Sequence, residues 1–302
     1  MPGEPFFLIA GPNVIESEQH TLHMARAIKE VADSLGLRFV FKASFDKANR
    51  TSVDAFRGPG MEQGLKILEQ VRQQVHVPVL TDVHETNQCE PVARVVDVIQ
   101  IPAFLCRQTD LLTAAALTGR PIHIKKGQMC SVKVVVAAAE KVRAAGNSHE
   151  CLDTHSWMHL TNIHSFHPLQ YKASIQPSPT PHTHQVVVAA AEKVRAAGNP
   201  HVMVCERGTM FGYGDLILDP RNLVQMRAAN CPVVADVTHS LQQPAQRQLP
   251  GGGLASAGQR HLIPAVARAC VAVGVDGVFM EVHDNPEAAP VDGPTQWVSE
   301  GG

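Results

Sequence analysis

The sequence has little of what would place it in several large classes of protein. Aromatic residues make up 5% of its 302 residues, and no apolar run approaches the roughly 20 residues that a membrane-spanning helix needs. The formal net charge is −2 and the isoelectric point is about 6.8, so there is no excess of positive charge. We therefore expect no nucleic-acid partner and no binding to an anionic membrane surface. If the protein binds an anion, the positive charge must come from a local group of residues rather than from the whole surface.

The cysteines lack the spacing of a disulfide framework or of a metal-binding motif. There are seven, an odd number without CxxC spacing, and most lie in or beside apolar runs, as Cys205 and Cys270 do. Such a set is typical of reduced thiols in the cytosol. The first residues, MPGEPFFLIAGPN, also lack the basic region and long apolar segment of a secretory signal. We therefore expect a soluble cytoplasmic protein.

Short apolar runs rich in β-forming residues occur eight times, and polar residues follow each run. The runs are FFLIAGPN, FVFKAS, PVLTDVH, DVIQIP, PIHIKKGQ, HVMVCERG, PVVADVTH and GVFMEVH. Segments with helical periodicity separate most of them, such as HMARAIKEVADSLG, GLKILEQVRQQV, LLTAAALTG and HLIPAVARACVAVG. This alternation predicts βα units and a parallel sheet. Eight units favour an α/β fold of the (β/α)8 TIM-barrel type, as one domain over residues 1–302, although a doubly wound sheet would give a similar alternation.

The polar residues at the ends of these runs are the candidates for function, because the active site of a barrel forms where strand carboxyl ends meet the following loops. Cations are densest in FKASFDKANRTS. Lys42 and Ser44 alternate on the inward face of the second predicted strand. The loop after them holds Lys47, Asn49, Arg50 and Thr51. A solvated charged loop would explain this stretch alone, but Lys125 and Arg207 at other strand ends favour a site for phosphate and carboxylate groups.

One segment breaks the regular alternation. The fourteen residues VVVAAAEKVRAAGN occur twice without a mismatch, at 134–147 and at 186–199. Solenoid repeats drift in sequence and recur several times, so an identical single pair does not indicate an array. Residues 148–185 are rich in Ser, Thr, Pro and His and have no sustained period. We expect them to be a disordered insertion between the fifth and sixth strands, and we interpret their seven histidines as composition rather than as metal ligands.

The residues after the eighth predicted strand, DNPEAAPVDGPTQWVSEGG, have no helical period. The eighth outer helix of the barrel is therefore expected to be missing. Its absence would expose apolar surface of the first and eighth strands, at a cost of about 1.5 to 3 kcal/mol for each buried side chain lost.

Ten motifs closely resemble the 3-deoxy-D-manno-octulosonate 8-phosphate synthase family, especially its plant-type members. They are IAGPNVIES, FKASFDKANRTS, RGPGMEQGLKIL, LTDVHE, DVIQIPAFLCRQTDLL, KKGQ, VCERGTMFGYGDL, ADVTHSLQQP, GGGLASAG and FMEVHDNPEAAPVDGPTQW. The resemblance spans residues 6–296 except the insertion. It implies a (β/α)8 barrel, usually a homotetramer, that condenses phosphoenolpyruvate with arabinose 5-phosphate and water and releases inorganic phosphate. The product is the precursor of Kdo in cell-wall polysaccharide or lipopolysaccharide.

The resemblance also implies roles for individual residues. Phosphoenolpyruvate would be bound by Lys42, Ser44, Lys47, Lys125 and Arg207, with Gln100 and the backbone of Pro102 and Ala103 lining its site. The sugar phosphate would be held by Asn49, Arg50 and Thr51, and a sugar hydroxyl by Asp82. Lys47 would polarise the aldehyde, while Asn13, His239, Glu281 and Asp292 would surround the reacting water. The glycine-rich GGGLASAG would be a mobile loop over the site.

The family divides at the residue after AGP. Metal-dependent members have a Cys there, which binds a divalent ion together with a His, a Glu and an Asp. This sequence has Asn13, while His239, Glu281 and Asp292 match the other three positions. An amide is a neutral and poor replacement for a thiolate, so we expect an enzyme without a metal or other cofactor.

Two other interpretations stay open. The related 3-deoxy-heptulosonate 7-phosphate synthases use erythrose 4-phosphate, although the KANRTS motif favours the octulosonate enzyme. The chain could also be a catalytically inactive variant or a scaffold subunit of the same family, because of its insertion and its missing last helix.

Overall fold

The computed structural model describes residues 6–49, 55–145, 201–210, 214–248 and 254–299. Within these ranges eight parallel strands form a closed barrel, in which each strand pairs with the next and the eighth pairs with the first. The strands are β1 (Phe7–Gly11), β2 (Arg38–Lys42), β3 (Val79–Asp82), β4 (Val98–Ile101), β5 (Ile122–Lys125), β6 (Val202–Glu206), β7 (Val233–Asp236) and β8 (Gly277–His283). The predicted (β/α)8 barrel is confirmed.

Seven α-helices lie outside the barrel in the described part of the chain. They are α1 (Glu18–Ser34), α2 (Met61–Val75), α3 (Thr86–Ala93), α4 (Thr109–Leu117), α5 (Val132–Ala145), α6 (Pro220–Met226) and α7 (Ile263–Val273). The first copy of the repeat supplies most of α5. The second copy at 186–199 and the predicted insertion at 148–185 lie outside the described residues. None of the described helices is both long and apolar enough to cross a membrane.

Apolar side chains fill both the space under the helices and the inside of the barrel. The interior cluster consists of Ile9, Leu80, Val98, Met203, Cys205, Val234 and Phe279. It closes the barrel as a packed core rather than a pore. Phe279 adjoins the polar residues, because the Lys125 ammonium lies 3.1 Å from its ring centroid. The polar residues at the carboxyl ends of the strands therefore lie together at one end of the barrel, which we call the mouth. The apolar interior cluster lies directly beneath them.

Two loops near the mouth contain short antiparallel hairpins. One pairs Thr209–Met210 with Leu216–Ile217, and the other pairs Gln242–Gln248 with Leu254–Gly258. The described part of the glycine-rich motif is thus a strand of the second hairpin, while residues 251–253 lie outside the described residues.

Residues 284–299, after β8, contain no α-helix, as the lack of periodicity predicts. They contain a single 3-10 turn, Gly293–Thr295, and a two-residue strand, Trp297–Val298, that pairs in parallel with the end of β8. The turn follows Asp292, which has the left-handed φ of 50°. This segment therefore folds back over the mouth and brings Asp292 to it.

Candidate active site

A buried carboxylate near the end of β8, that of Glu281, is the centre of the polar mouth. Its Oε1 accepts a hydrogen bond from the Lys42 ammonium at 2.8 Å, and the Lys47 ammonium lies 4.0 Å from the same oxygen. Its Oε2 lies 2.5 Å from the Asn13 amide nitrogen and 3.4 Å from His239 Nε2. Residues that end or follow three other strands, β1, β2 and β7, thus meet at this one carboxylate of β8.

The charges in this cluster shift the pKa values of its members in different directions. Burial raises the pKa of Glu281, but the positive charges of His239, Lys42 and Lys47 outweigh it and hold the pKa well below its ordinary value. Burial lowers the pKa of Lys42, yet the nearby carboxylates, first that of Glu281, leave it raised. Burial and then repulsion from Lys42 lower the pKa of Lys47. Of these two lysines, Lys47 therefore gives up its proton more readily.

A second buried carboxylate, Asp236 at the end of β7, fixes the orientation of His239. Its Oδ2 lies 2.7 Å from His239 Nδ1 and accepts a hydrogen bond from the Lys125 ammonium at 2.5 Å. Its Oδ1 accepts hydrogen bonds from the backbone N–H groups of Thr238 and His239. Burial raises the pKa of Asp236, but the charges of His239 and Lys125 hold it well below its ordinary value. The imidazole is thus held between two anionic carboxylates, those of Asp236 and Glu281.

A chain of side-chain amides connects this cluster to Arg207. The Asn13 amide nitrogen lies 3.2 Å from Asp292 Oδ2, and Asp292 Oδ1 accepts a hydrogen bond from Gln242 at 3.0 Å. Gln242 in turn accepts one from Arg207 Nη2 at 3.1 Å. The other terminal nitrogen of Arg207 is buried and has no hydrogen-bond partner among the described residues. A buried guanidinium with a free donor is suited to an anionic ligand.

Two further pairs complete the mouth. Asp82 at the end of β3 lies 3.2 Å from His84 Nε2. Burial raises its pKa, but the hydrogen bond and charge of His84 hold it well below the ordinary value. Gln100 Oε1 lies 3.0 Å from Nδ1 of His123, a fully buried histidine of β5. Sequence reasoning missed His123, although the two-residue period of a strand places it on the same face as Lys125.

His123 is expected to make the protein less stable as the pH falls below about 6.5. Burial, followed by repulsion from Lys125, lowers the pKa of His123 well below its ordinary value. The unfolded chain then binds a proton that the folded chain does not, so the free energy of unfolding decreases toward low pH by up to about 1.4 kcal/mol per pH unit. Denaturant unfolding between about pH 5 and 6.5 measures this slope.

His123→Gln should reduce that slope by the amount that corresponds to about one bound proton. His84 serves as the matched control. Although burial lowers the pKa of His84, the hydrogen bond and charge of Asp82 leave it raised. Well below pH 6.5 it is therefore protonated in both states, and His84→Gln should leave the slope unchanged near pH 5. An equal slope in the wild type and in His123→Gln would contradict the assignment.

Several predicted site residues have no side-chain contact with the cluster around Glu281 among the described residues, or lie outside those residues. Ser44 is buried after β2, and its hydroxyl has no hydrogen-bond partner among the described residues. Ala103 begins a 3-10 turn after β4. Asn49 lies in an exposed turn, while Arg50 and Thr51 lie outside the described residues. The sequence analysis did not identify Gln242 or Gln296 as site residues. Gln242 donates to Asp292, and Gln296 Oε1 accepts the Asn13 backbone N–H. They lie in the quoted motifs SLQQP and PTQW, but an uncharged amide gives no signal of its own.

The three positions that match metal ligands in the family do lie together. One ligand atom each of His239, Glu281 and Asp292 lies within 4.8 Å of the others. The Asn13 amide group is placed among them with its nitrogen toward both carboxylates, at 2.5 and 3.2 Å. A hydrogen-bond donor therefore faces the carboxylate oxygens of Glu281 and Asp292.

At the mouth of this barrel the described residues include the lysines Lys42, Lys47 and Lys125, the guanidinium of Arg207 and the buried carboxylates of Asp82, Asp236 and Glu281. Such a site defines an enzyme for small anionic substrates. The chain belongs to the DAHP synthetase I family, whose model matches residues 2–300. It is 58% identical to 2-dehydro-3-deoxyphosphooctonate aldolase 2 of Arabidopsis thaliana, over 97% of this chain and 83% of that protein. The protein of the same name from Pisum sativum is 57% identical, and that of Methylococcus capsulatus is 46% identical, both over the same shares. The resemblance inferred from the motifs is confirmed.

Proposed function

We propose that this enzyme condenses phosphoenolpyruvate with D-arabinose 5-phosphate and water to 3-deoxy-D-manno-octulosonate 8-phosphate and inorganic phosphate. The relatives' shared name, 2-dehydro-3-deoxyphosphooctonate aldolase, denotes this eight-carbon product. The observation that carries the proposal is the concentration of cations at one mouth, where Lys42, Lys47, Lys125 and Arg207 can hold a phosphate and a carboxylate together. By resemblance, the enzyme is a cytoplasmic homotetramer.

In the proposed reaction, C3 of phosphoenolpyruvate adds to the sugar aldehyde while water adds to C2, and the resulting phosphohemiketal loses phosphate. Negative charge develops on the aldehyde oxygen, and Lys47 stabilises it there. The lowered pKa of Lys47 suits it to give a proton to that oxygen. His239, held by Asp236 and Glu281, is positioned to orient the water. Arg50 and Thr51 are assigned to the sugar phosphate, with Asn49, on the motif alone.

We propose that no metal ion takes part in this chemistry. The support is the Asn13 amide, which donates a hydrogen bond to both Glu281 and Asp292 and so bridges the two carboxylates without a cation. The ammonium groups of Lys42 and Lys47 supply the local positive charge. An amide oxygen also binds borderline transition metals far more weakly than a thiolate does.

Phosphate release by the purified chain tests the reaction. We expect release from phosphoenolpyruvate that requires arabinose 5-phosphate and is unchanged by EDTA. A preference for erythrose 4-phosphate would favour a heptulosonate synthase instead. Release that EDTA abolishes and a divalent ion restores would contradict the role of Asn13. No release by folded protein would favour the inactive-subunit interpretation, and deletion of residues 148–199 would then show whether the inserted segment blocks turnover.

A further inference from the structure

Arg207, which follows β6, is held differently from Lys42 on the other side of the mouth. Lys42 pairs directly with the Glu281 carboxylate at 2.8 Å. Arg207 is 6% exposed, and its partner is an uncharged group, the side-chain amide of Gln242. In the described part of the chain it forms no ion pair with a carboxylate. A buried cation without an anionic partner is costly, so this arrangement needs an explanation.

The contacts of the Gln242 side chain determine which way its amide faces. Its Oε1 accepts a hydrogen bond from Arg207 Nη2 at 3.1 Å. Its Nε2 donates to Asp292 Oδ1 at 3.0 Å and to Ser256 Oγ at 3.2 Å. A guanidinium has no acceptor and an ionised carboxylate has no donor, so the reversed amide would lose both of those contacts. The buried amide therefore has one orientation, with its oxygen toward Arg207.

Gln242 thus stands between a cation and an anion. It accepts from Arg207 on one side and donates to Asp292 on the other. A carboxylate in direct contact with Arg207 would orient the guanidinium, but it would also offset the positive charge that an anionic ligand needs. The amide holds the same Nη2 atom and carries no net charge. Arg207 is therefore oriented while its charge stays available to a ligand.

The second terminal nitrogen of Arg207 is the observation that points to a ligand. Nη1 is buried and has no hydrogen-bond partner among the described residues. A buried donor without a partner costs free energy, because it has lost its hydrogen bond to water. The guanidinium is planar and rigid, so the hydrogen bond from Nη2 to Gln242 also restricts where the Nη1 hydrogens point. An anionic oxygen placed there would satisfy them.

We propose that Gln242 is a positioning residue, which aims Arg207 Nη1 at an anionic group of phosphoenolpyruvate and leaves the charge of the guanidinium uncancelled. The inference rests on the proposed function, because that function assigns Arg207 to phosphoenolpyruvate. Gln242 acts through Arg207 and not on the substrate itself. A carboxylate in its place would pair with Arg207 and repel Asp292. The affinity for phosphoenolpyruvate therefore depends on a neutral hydrogen-bond acceptor at position 242.

Calorimetric titration of the full chain with phosphoenolpyruvate, without the sugar, tests the proposal. Gln242→Glu keeps the shape of the side chain and adds a negative charge, so the dissociation constant should rise by about 10- to 100-fold. Gln242→Met removes the hydrogen bonds without adding charge and should raise it by only about 3-fold.

Steady-state kinetics separates positioning from a structural role. In Gln242→Glu the KM for phosphoenolpyruvate should rise, while the KM for arabinose 5-phosphate should change by less than about 2-fold, because the sugar phosphate is assigned to other residues. A merely structural role would change both KM values together with the melting temperature.

Gln74→Glu is the matched control, because the exposed Gln74 also accepts a hydrogen bond from an arginine, Arg26 Nη2, at 3.0 Å. It makes the same change of charge in front of a guanidinium at the protein surface, and it should leave the affinity unchanged.

Unchanged affinity in Gln242→Glu would overturn the proposal, as would equal losses in Gln242→Glu and Gln242→Met. The melting temperature identifies a variant that fails to fold, and the other variant then decides, with unchanged affinity as the contrary result. Absence of phosphoenolpyruvate binding to the folded wild type would also overturn it. A wild type that binds phosphoenolpyruvate but releases no phosphate would contradict the proposed function alone, since the titration does not depend on turnover.

Discussion

Replacing Lys47 with Met is expected to lower kcat for phosphate release by about 10²- to 10³-fold, the usual cost of removing one donor to a developing oxyanion. The KM for phosphoenolpyruvate should change less, because the charge on the aldehyde oxygen develops in the transition state. Lys47 is placed for this role by its distance of 4.0 Å from Glu281 at the centre of the mouth and by its lowered pKa. Initial-rate kinetics with both substrates varied is the measurement.

Folding stability should not fall in Lys47→Met. A lowered lysine pKa means that the fold disfavours the charged form, so removing the charge costs no stabilising interaction. Two control variants are measured alongside Lys47→Met. Lys47→Arg keeps a cation with a different shape, and Lys66→Met removes an exposed lysine whose partner is Glu62 on the same helix. Full kcat in Lys47→Met would refute the assignment, whereas a loss of kcat together with a large fall in melting temperature would indicate a structural role.

Replacing Lys42 with Met is expected to abolish activity and, unlike Lys47→Met, also to cause a large loss of stability. Lys42 and Glu281 are 1% and 0% exposed and lie 2.8 Å apart. The raised pKa of Lys42 and the lowered pKa of Glu281 have the signs of a pair whose charges stabilise each other. Removing one partner of a buried pair leaves the other charge uncompensated and costs about 3 to 5 kcal/mol. A fall in melting temperature on the order of 10 °C should follow.

The double variant Lys42→Met with Glu281→Gln makes this prediction specific. Removing both charges should recover most of the lost stability, because neither charge of the Lys42–Glu281 pair is then buried without the other. Activity should stay lost, since the ammonium assigned to phosphoenolpyruvate is still absent. Lys29→Met is the surface control, because its exposed partner Asp33 makes the pair worth less than about 1 kcal/mol. Additive destabilisation in the double variant would contradict the coupling between Lys42 and Glu281.

The sequence by itself determined the strands and helices of the barrel, because strand and helix periods are local properties of the chain. All eight runs read as strands are strands, and the four periodic segments quoted lie in helices. The end of a parallel strand also has a fixed place in a barrel, at the mouth. Residues at those ends, such as Lys42, Asp82, Lys125 and Glu281, could therefore be named as site residues before any contact was known.

Only the tertiary structure decided which of these residues touch. Barrel closure brings Asn13 to Glu281, 268 positions away, and puts the amide nitrogen against that carboxylate. It also brings Glu16 to His283, 267 positions away, which no motif indicated. Buried polar groups need hydrogen-bond partners, and the closed barrel decides which partners are within reach. The neutral amide of Gln242, which links Asp292 to Arg207, gives no signal in the sequence that it has this role. Local periodicity fixes the elements, whereas pairing across the seam depends on the closed fold.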